Sequence, residues 1–187
     1  MSPVYQRKQM RTHGMFDLET LGKQPNTVVL SVGAVVFNAE GVLGKRHWFL
    51  NLDEQLRTRK VDASTIVWWM GQSKEAQTVF KNAEVGISTR QFCKEFLEFY
   101  ESFKADIVVW GNGASFDIPI IEHLLYSNQF PIPWKYWDIR CYRTVKKAHM
   151  IEKNRPRSGV KHDALDDAVY QAECLRAFFE CAPEYDA

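Results

Sequence analysis

The sequence predicts a single α/β domain, and three patterns carry that prediction. The β-branched run TVVLSVGAVVFN at 27–38 is typical of a central strand, and shorter apolar runs at 12–19 and 106–111 indicate further strands. A stripe of phenylalanines in 88–103 recurs at helical spacing, which predicts a helix packed on the sheet. The 187 residues, 45% of them apolar, suffice for one domain with a sizeable core.

The predicted elements follow one another in an order that combines a meander with later single strands. A turn at 39–41 leads into a third strand at 45–52, so the first three strands form a meander. Helices are then predicted at 62–72, 73–83 and 88–103, and Ser88 and Gln91 form a capping box at the start of the last of them. A strand at 106–111, a helix at 116–128 and an edge strand within 131–140 follow. The chain continues with a basic helix at 141–150, a loop at 151–161 and a closing helix at 162–182. This order predicts helices flanking one sheet.

Composition excludes several classes of protein. The four cysteines, at 93, 141, 174 and 181, form no CxxC or Cys/His cluster, so we expect no structural zinc site. No apolar run reaches the roughly 18 residues of a membrane span, and the N-terminus lacks the apolar stretch of a signal peptide. We therefore expect a cytoplasmic protein, with residues 1–11 as a mobile basic arm and 12–187 as the domain.

Charge is distributed unevenly along the chain. The segment 135–161 carries nine Lys or Arg and two acids, a net +7, so the rest of the chain carries −6 within the total of +1. A basic segment in an acidic background indicates an anionic ligand, although a solvated helix and loop would show the same composition.

The stretch MFDLETLG at 15–22 places two acids in an apolar strand. Because side chains alternate along a strand, Asp17 and Glu19 point to the same side, where their carboxylates can share a cation. Oxygen ligands of this kind suit Mg²⁺ or Mn²⁺. A D-x-E pair alone is weak support, since it occurs by chance in many sequences.

Two later segments offer further polar groups. Asp117 in WGNGASFD follows a strand at the carboxyl edge of the sheet, where ligands of α/β proteins bind, although an N-cap role would also explain it. In HDALDDA, His162 and Asp167 can converge only if His162 precedes the helix, because five residues rotate a helix by about 140°. Helix-dipole and capping roles would equally explain the acids of this stretch.

Taken together, the three motifs D-x-E, N-G-x-x-F-D and H-x-x-x-x-D resemble those of the DEDDh (DnaQ-like) 3′–5′ exonuclease superfamily. The segments DLETLG, VLSVGAVVF, IVWWMGQS, VWGNGASFD and WDIRCYRTV are similar to the phage exonuclease A and mycobacterial 3′–5′ exoribonuclease type. The resemblance implies a ribonuclease H-like fold with a five-stranded mixed central sheet flanked by helices. The basic N-terminal arm departs from the pattern without touching the motifs.

The resemblance also implies the chemistry. It assigns two ions of Mg²⁺ or Mn²⁺ to Asp17, Glu19, Asp117 and Asp167, and the role of general base to His162. Single-stranded RNA or DNA would be held at its 3′ end, and a homodimer is expected because members of the superfamily often dimerise. The candidate substrate-binding residues are Thr20, Leu21, Trp68, Trp69, Gln72, Asn112, Phe116, Arg140 and Arg143.

Some alternatives stay open at this point. Trp68 and Trp69 are 100° apart on a helix, so at least one of them is expected in the core. One alternative is an enzyme that acts on very short oligonucleotides, as an oligoribonuclease does, and another is a catalytically silent nucleic-acid-binding module. Neither RNA nor DNA is favoured, because contacts to the 2′-OH that distinguish them cannot be placed from sequence.

Overall fold

A mixed five-stranded sheet forms the centre of the molecule. The structure is a computed structural model, and it describes residues 11–152 and 155–186. The strands are β1 (Thr12–Thr20), β2 (Val29–Phe37), β3 (Val42–Phe49), β4 (Ile107–Gly111) and β5 (Ile139–Cys141). Their order across the sheet is β3-β2-β1-β4-β5, with antiparallel pairing from β3 to β1 and parallel pairing from β1 to β5.

Helices cover both faces of this sheet. They are α1 (Leu52–Gln55), α2 (Ala63–Met70), α3 (Lys74–Glu84), α4 (Thr89–Glu101), α5 (Asp117–Ser127), α6 (Tyr142–His149) and α7 (Ala164–Cys181). Short 3₁₀ turns occupy Tyr136–Asp138 and Pro183–Asp186. The predicted α/β order and the mixed five-stranded sheet are confirmed. The sequence did not predict the short α1 or the final 3₁₀ turn, because each is too short to show a recognisable periodicity.

Local sequence explains where the helices begin. Ser88 caps α4 by accepting a hydrogen bond from the backbone N–H of Gln91, as the capping-box pattern predicts. Asp163 caps α7, since its carboxylate accepts from the N–H groups of Leu165 and Asp166. Asp62, by contrast, precedes α2 without a side-chain cap; its carboxylate instead accepts from the N–H of Lys23.

Alternation along β1 divides its side chains between two cores. Phe16 and Leu18 pack into the core beneath α4 and α5. Met15 packs into the other core, beneath α6 and α7, and Asp17 and Glu19 share its side of the strand. The predicted phenylalanine stripe of α4 belongs to the first core, with Phe92 and Phe96 fully buried. The two acids therefore face α7.

Gly33 allows α7 to approach the sheet at this point. It pairs with Asp17 across β1 and β2, and a Cβ atom built on it would lie 2.1 Å from the carbonyl oxygen of Ala164. That oxygen belongs to the backbone at the start of α7 and cannot move aside alone. A glycine is thus required for the first turn of α7 to sit over the acidic end of β1.

The predicted N-terminal arm lies almost entirely outside the residues that the structure describes. The arm predicted at 1–11 lies outside them except for Arg11, and the boundary of the domain at 12–187 stays a prediction. No helix in residues 11–152 and 155–186 is long and apolar enough to cross a membrane.

Candidate active site

The site lies at the carboxyl ends of the parallel strands, where three segments converge. β1 supplies Asp17 and Glu19, the first turn of α5 supplies Asp117, and α7 supplies Asp167. All four carboxylates are buried, with between 2% and 9% of each residue exposed. The structure therefore brings together the four acids that the sequence motifs selected.

Asp117 is held against the end of β4 rather than serving as a helix cap. The N-cap residue of α5 is Phe116, and Asp117 is the first helical residue. Gly111, the last residue of β4, makes room for it, because a Cβ there would lie 3.0 Å from Asp117 Oδ2. That oxygen is buried and has no hydrogen-bond partner among the described residues. The simple capping role considered for Asp117 is therefore not what the structure shows.

His162 reaches the acids from the turn before α7. Its backbone φ of +64° is left-handed, a conformation that is costly for most side chains but relatively common for histidine. One ligand atom each from Glu19, His162 and Asp167 lie within 4.8 Å of one another. The predicted closing helix at 162–182 begins two residues later, at Ala164, so the condition that His162 precede the helix is met.

Burial and mutual repulsion make these acids unusually weak. Burial raises the pKa of Glu19 to about 8, with the charges of Asp117 and Asp163 adding to the rise and that of Arg157 opposing it. Burial likewise raises the pKa of Asp17, helped by the charges of Asp117 and Glu19. Burial also raises the pKa of Asp117 to about 7, against hydrogen bonds from backbone amides. Such a cluster favours a bound cation.

Two residues that the motifs did not single out complete the cluster. The Gln171 side-chain amide donates to Asp17 Oδ1 at 2.8 Å, and Gln171 lies one helical turn after Asp167 on α7. Its i+4 spacing from Asp167 was the sequence pattern that could have found it. Arg157, in the loop before α7, forms an ion pair with Asp167, whereas its sequence context identifies it only as one of the cations of the basic segment 135–161.

The two tryptophans of α2 have different environments. Trp69 is buried, and its indole N–H donates to the backbone oxygen of Thr20 at 2.9 Å, so it supports the end of β1. Trp68 is 44% exposed and meets the His162 ring edge-on, with ring centroids 4.8 Å apart. The expectation that at least one lies in the core is confirmed, and Trp68 is the indole available to a ligand beside the acids.

The other candidate substrate-binding residues are mostly engaged with the backbone. Thr20 Oγ1 donates to the Gly22 oxygen, and Gln72 donates to the Trp68 oxygen. Arg143 donates to the Asn112 oxygen at 2.6 Å, which fixes it against the loop that leads to Asp117. The remaining positions are Leu21, which is buried, Phe116, which is partly buried against the core, and Arg140, which donates to the backbone oxygens of Trp137 and Ile139.

Residues 12–179 match the model of the 3′–5′ exoribonuclease Rv2179c-like domain. The chain belongs to this family. It is therefore a 3′–5′ exonuclease of the DEDDh superfamily, as the motifs predicted, and metal dependence is typical of that superfamily.

A viral protein and two solved structures are similar to this chain. An exodeoxyribonuclease of Enterobacteria phage T4 is 26% identical over 180 residues, covering 83% of this chain and 79% of the relative. The nuclease domain of 3′hExo, a DEDDh family member bound to rAMP, superposes with a TM-score of 0.64 at 11% identity, covering 92% of this chain and 94% of that one. Cell-death related nuclease 4 gives 0.64 at 12% identity over 91% of this chain and 64% of its own. These structures confirm the ribonuclease H-like fold of the exonuclease.

Proposed function

We propose that the chain removes nucleoside 5′-monophosphates one at a time from the 3′ end of single-stranded nucleic acid, using two ions of Mg²⁺ or Mn²⁺. The observation that carries the proposal is the buried carboxylate cluster at the carboxyl edge of the sheet, with His162 beside it. The phage relative is named as acting on DNA and the family model as acting on RNA, so both remain substrates to test.

The residues fit divalent metal ions. The four acids Asp17, Glu19, Asp117 and Asp167 offer only oxygen atoms, which suit hard cations. The buried Oδ2 of Asp117 lacks a partner in the described part of the chain, and a buried unpartnered carboxylate oxygen is costly unless a ligand compensates it. When bound, the ions lower the pKa of the attacking water and neutralise charge on the phosphate oxygens.

We assign the proton transfer to His162. Burial lowers the pKa of His162, with the charges of Lys161 and Arg157 adding to the effect, so the imidazole is neutral at physiological pH and free to accept a proton. The edge of Trp68 limits the movement of the ring. Gln171 fixes the orientation of Asp17 by its hydrogen bond.

We place the terminal nucleotide between Trp68 and the loop that leads to Asp117. Trp68 offers an exposed indole for stacking on a base, and Trp69 supports the strand end beneath it. The basic face of α6 and the following loop would contact the phosphates of the strand.

The sequence also favours a homodimer and a location in the cytoplasm of a bacterium or phage-infected host. Size-exclusion chromatography with light scattering tests the homodimer.

A single assay tests the proposal. The purified chain is incubated with 5′-labelled single-stranded RNA and DNA of the same sequence, with Mg²⁺, Mn²⁺ or EDTA, and the products are resolved by length. We expect a stepwise ladder that shortens from the 3′ end and is absent in EDTA. Cleavage at internal positions, or products that shorten from the 5′ end, would contradict the proposal.

Matched variants assign the site. Asp17→Asn should abolish the ladder, whereas Asp53→Asn, which changes an exposed acid of α1, should leave it intact. His162→Ala should slow cleavage by at least about a hundredfold, the usual contribution of a general base. If Asp17→Asn and His162→Ala both kept wild-type rates, the assigned site would be wrong.

A further inference from the structure

Arg157 stands among the acids of the site, although no motif selects it. It lies in the loop between α6 and α7 and forms an ion pair with Asp167, one of the proposed metal ligands. Its side chain is 31% exposed and that of Asp167 is 12% exposed. The guanidinium carbon also lies 5.2 Å from the ring centroid of Tyr170, which is one turn further along α7. Asp167 and Tyr170 thus form one receiving surface for this arginine.

The loop on both sides of Arg157 is fastened to α7. The N–H of Val160 donates to Asp166 Oδ2 at 2.7 Å, and the side chain of Arg155 donates to the Glu173 oxygen at 3.2 Å. Gly159 has a left-handed φ of +83°, and a Cβ there would lie 2.5 Å from Asp166 Cγ. These contacts hold the loop against α7 and thereby keep Arg157 beside the carboxylate cluster.

The positive charge of Arg157 offsets part of the negative charge of the carboxylate cluster. Four ionised carboxylates would place four negative charges in a buried site, and a single guanidinium offsets only one of them. An arginine keeps its charge at every physiological pH, so it cannot leave the site by losing a proton. It can leave only by rotating away when other cations enter, because like charges repel at short range.

We infer that Arg157 is an exchangeable cation of this site: it pairs with Asp167 while the carboxylates hold no metal, and it turns to a phosphate of the substrate once divalent ions occupy them. The second half rests on the proposed function. A guanidinium suits both partners, since its planar fork binds carboxylate and phosphate oxygens through paired hydrogen bonds. The loop anchors keep it within side-chain reach of the same cluster in either state.

Metal binding without substrate tests the first half. Thermal melting in EDTA and calorimetric titration with Mn²⁺ are compared for wild type, Arg157→Gln, Arg157→Lys and the control Arg57→Gln, which removes an exposed arginine after α1. We expect Arg157→Gln to lower the melting temperature in EDTA by about 2–4 °C, to match wild type in saturating Mn²⁺, and to bind Mn²⁺ at least about fivefold more tightly. Arg157→Lys keeps the charge but not the planar fork, so it should restore both quantities only in part, and Arg57→Gln should change neither.

A double variant separates the ion pair from the loop. In an Asp167→Asn background, Arg157→Gln should lower the melting temperature in EDTA no further, because its partner charge is already gone. An equal loss with and without Mn²⁺, at unchanged Mn²⁺ affinity, would show that Arg157 only supports the loop and would overturn the inference. Failure of wild type to bind Mn²⁺ at all would instead overturn the metal site of the proposed function, and this inference with it.

Product binding tests the second half. With saturating Mn²⁺, AMP and adenosine are titrated into wild type and Arg157→Gln. We expect the variant to bind AMP at least about fivefold more weakly and adenosine equally well, because only AMP carries a phosphate. Equal weakening of both ligands, or no weakening of AMP, would show that Arg157 does not turn to phosphate.

Discussion

The two ends of β1 both bury ionisable side chains, but they satisfy them differently. At the amino end, His13 is 1% exposed; its Nε2 lies 2.7 Å from Asp186 Oδ1, and its Nδ1 accepts from the Trp110 indole N–H at 3.1 Å. Its ring packs against Phe37 and Phe179, with centroids 5.3 and 4.9 Å away. Every polar atom of this histidine side chain has a partner within the chain.

The carboxyl end of β1 is built in the opposite way. Asp17 receives one side-chain hydrogen bond from Gln171, and the buried Oδ2 of Asp117 receives none from the described residues. Neutral protein groups therefore leave most of the charge at this end uncompensated. The comparison teaches that burial of a polar group is not by itself a mark of function: the fully partnered His13 stabilises the fold, whereas the clustered, incompletely partnered acids indicate a ligand.

The sharpest way to break this comparison is to neutralise the unpartnered acid. Asp117→Asn should lower the exonuclease rate by about a thousandfold, because bound metal supplies several kcal/mol of transition-state stabilisation and each 1.36 kcal/mol is a factor of about ten. The metal-free variant should be at least as stable as wild type, since a buried charge is removed. Rates on labelled single strands and urea unfolding in EDTA check both. A large loss of stability would mean that Asp117 is a structural residue.

The converse change should affect the amino end only in stability. His13→Ala removes the contacts to Asp186 and Trp110 together with buried ring surface, so we expect the free energy of unfolding to fall by about 2–3 kcal/mol. The rate at saturating substrate, measured well below the melting temperature, should stay within about twofold of wild type. A loss of rate as large as that of Asp117→Asn would show that the two ends are coupled.

Aromatic rings offer a further contrast between the ends. Phe37 and Phe179 are buried around His13, whereas Trp68 remains 44% exposed beside His162. Trp68→Ala should weaken substrate binding by about 1–3 kcal/mol, the value of one stacked base, with a smaller effect on unfolding. Filter binding of a single strand in Ca²⁺, alongside urea unfolding, distinguishes these effects. An effect on stability alone would place Trp68 with the structural rings.

The two ends should also respond to pH with opposite signs. Burial raises the pKa of Glu19 to about 8 and of Asp117 to about 7, so the folded state holds protons that the unfolded chain releases, and metal-free stability falls as the pH rises from about 4.5 to 8. Burial lowers the pKa of His13 despite the hydrogen bond and charge of Asp186, so its contribution is lost as the pH falls below about 6.5.

Unfolding in EDTA across pH 5 to 9 measures both slopes. Asp117→Asn should reduce the loss of stability as the pH rises to about 7, and His13→Gln should remove the opposing gain in stability as the pH rises to about 6.5. Saturating Mn²⁺ should remove most of the loss of stability that accompanies rising pH, because metal binding is linked to release of the carboxyl protons. If Mn²⁺ left this loss of stability with rising pH unchanged, the result would argue against a metal site at these acids.

Local sequence by itself determined the elements and offered the five motif residues as candidates. Periodicity predicted the strands and helices, Ser88 predicted the start of α4, and the alternation of β1 placed Asp17 and Glu19 on one side. These are properties of neighbouring residues, whose geometry a strand or helix repeats. The family resemblance then connected three distant segments whose convergence no local pattern can give.

Only the tertiary structure decided how the cluster is completed. Arg157 reaches Asp167 because the loop before α7 is fastened along that helix, and Gly33 matters because α7 crosses β2 there. Trp68 and Trp69 are adjacent in sequence, yet one is buried under the end of β1 and the other is exposed beside His162. The physical reason is common to all three: burial and charge pairing depend on which segments meet in space, and residues far apart in the chain set that meeting.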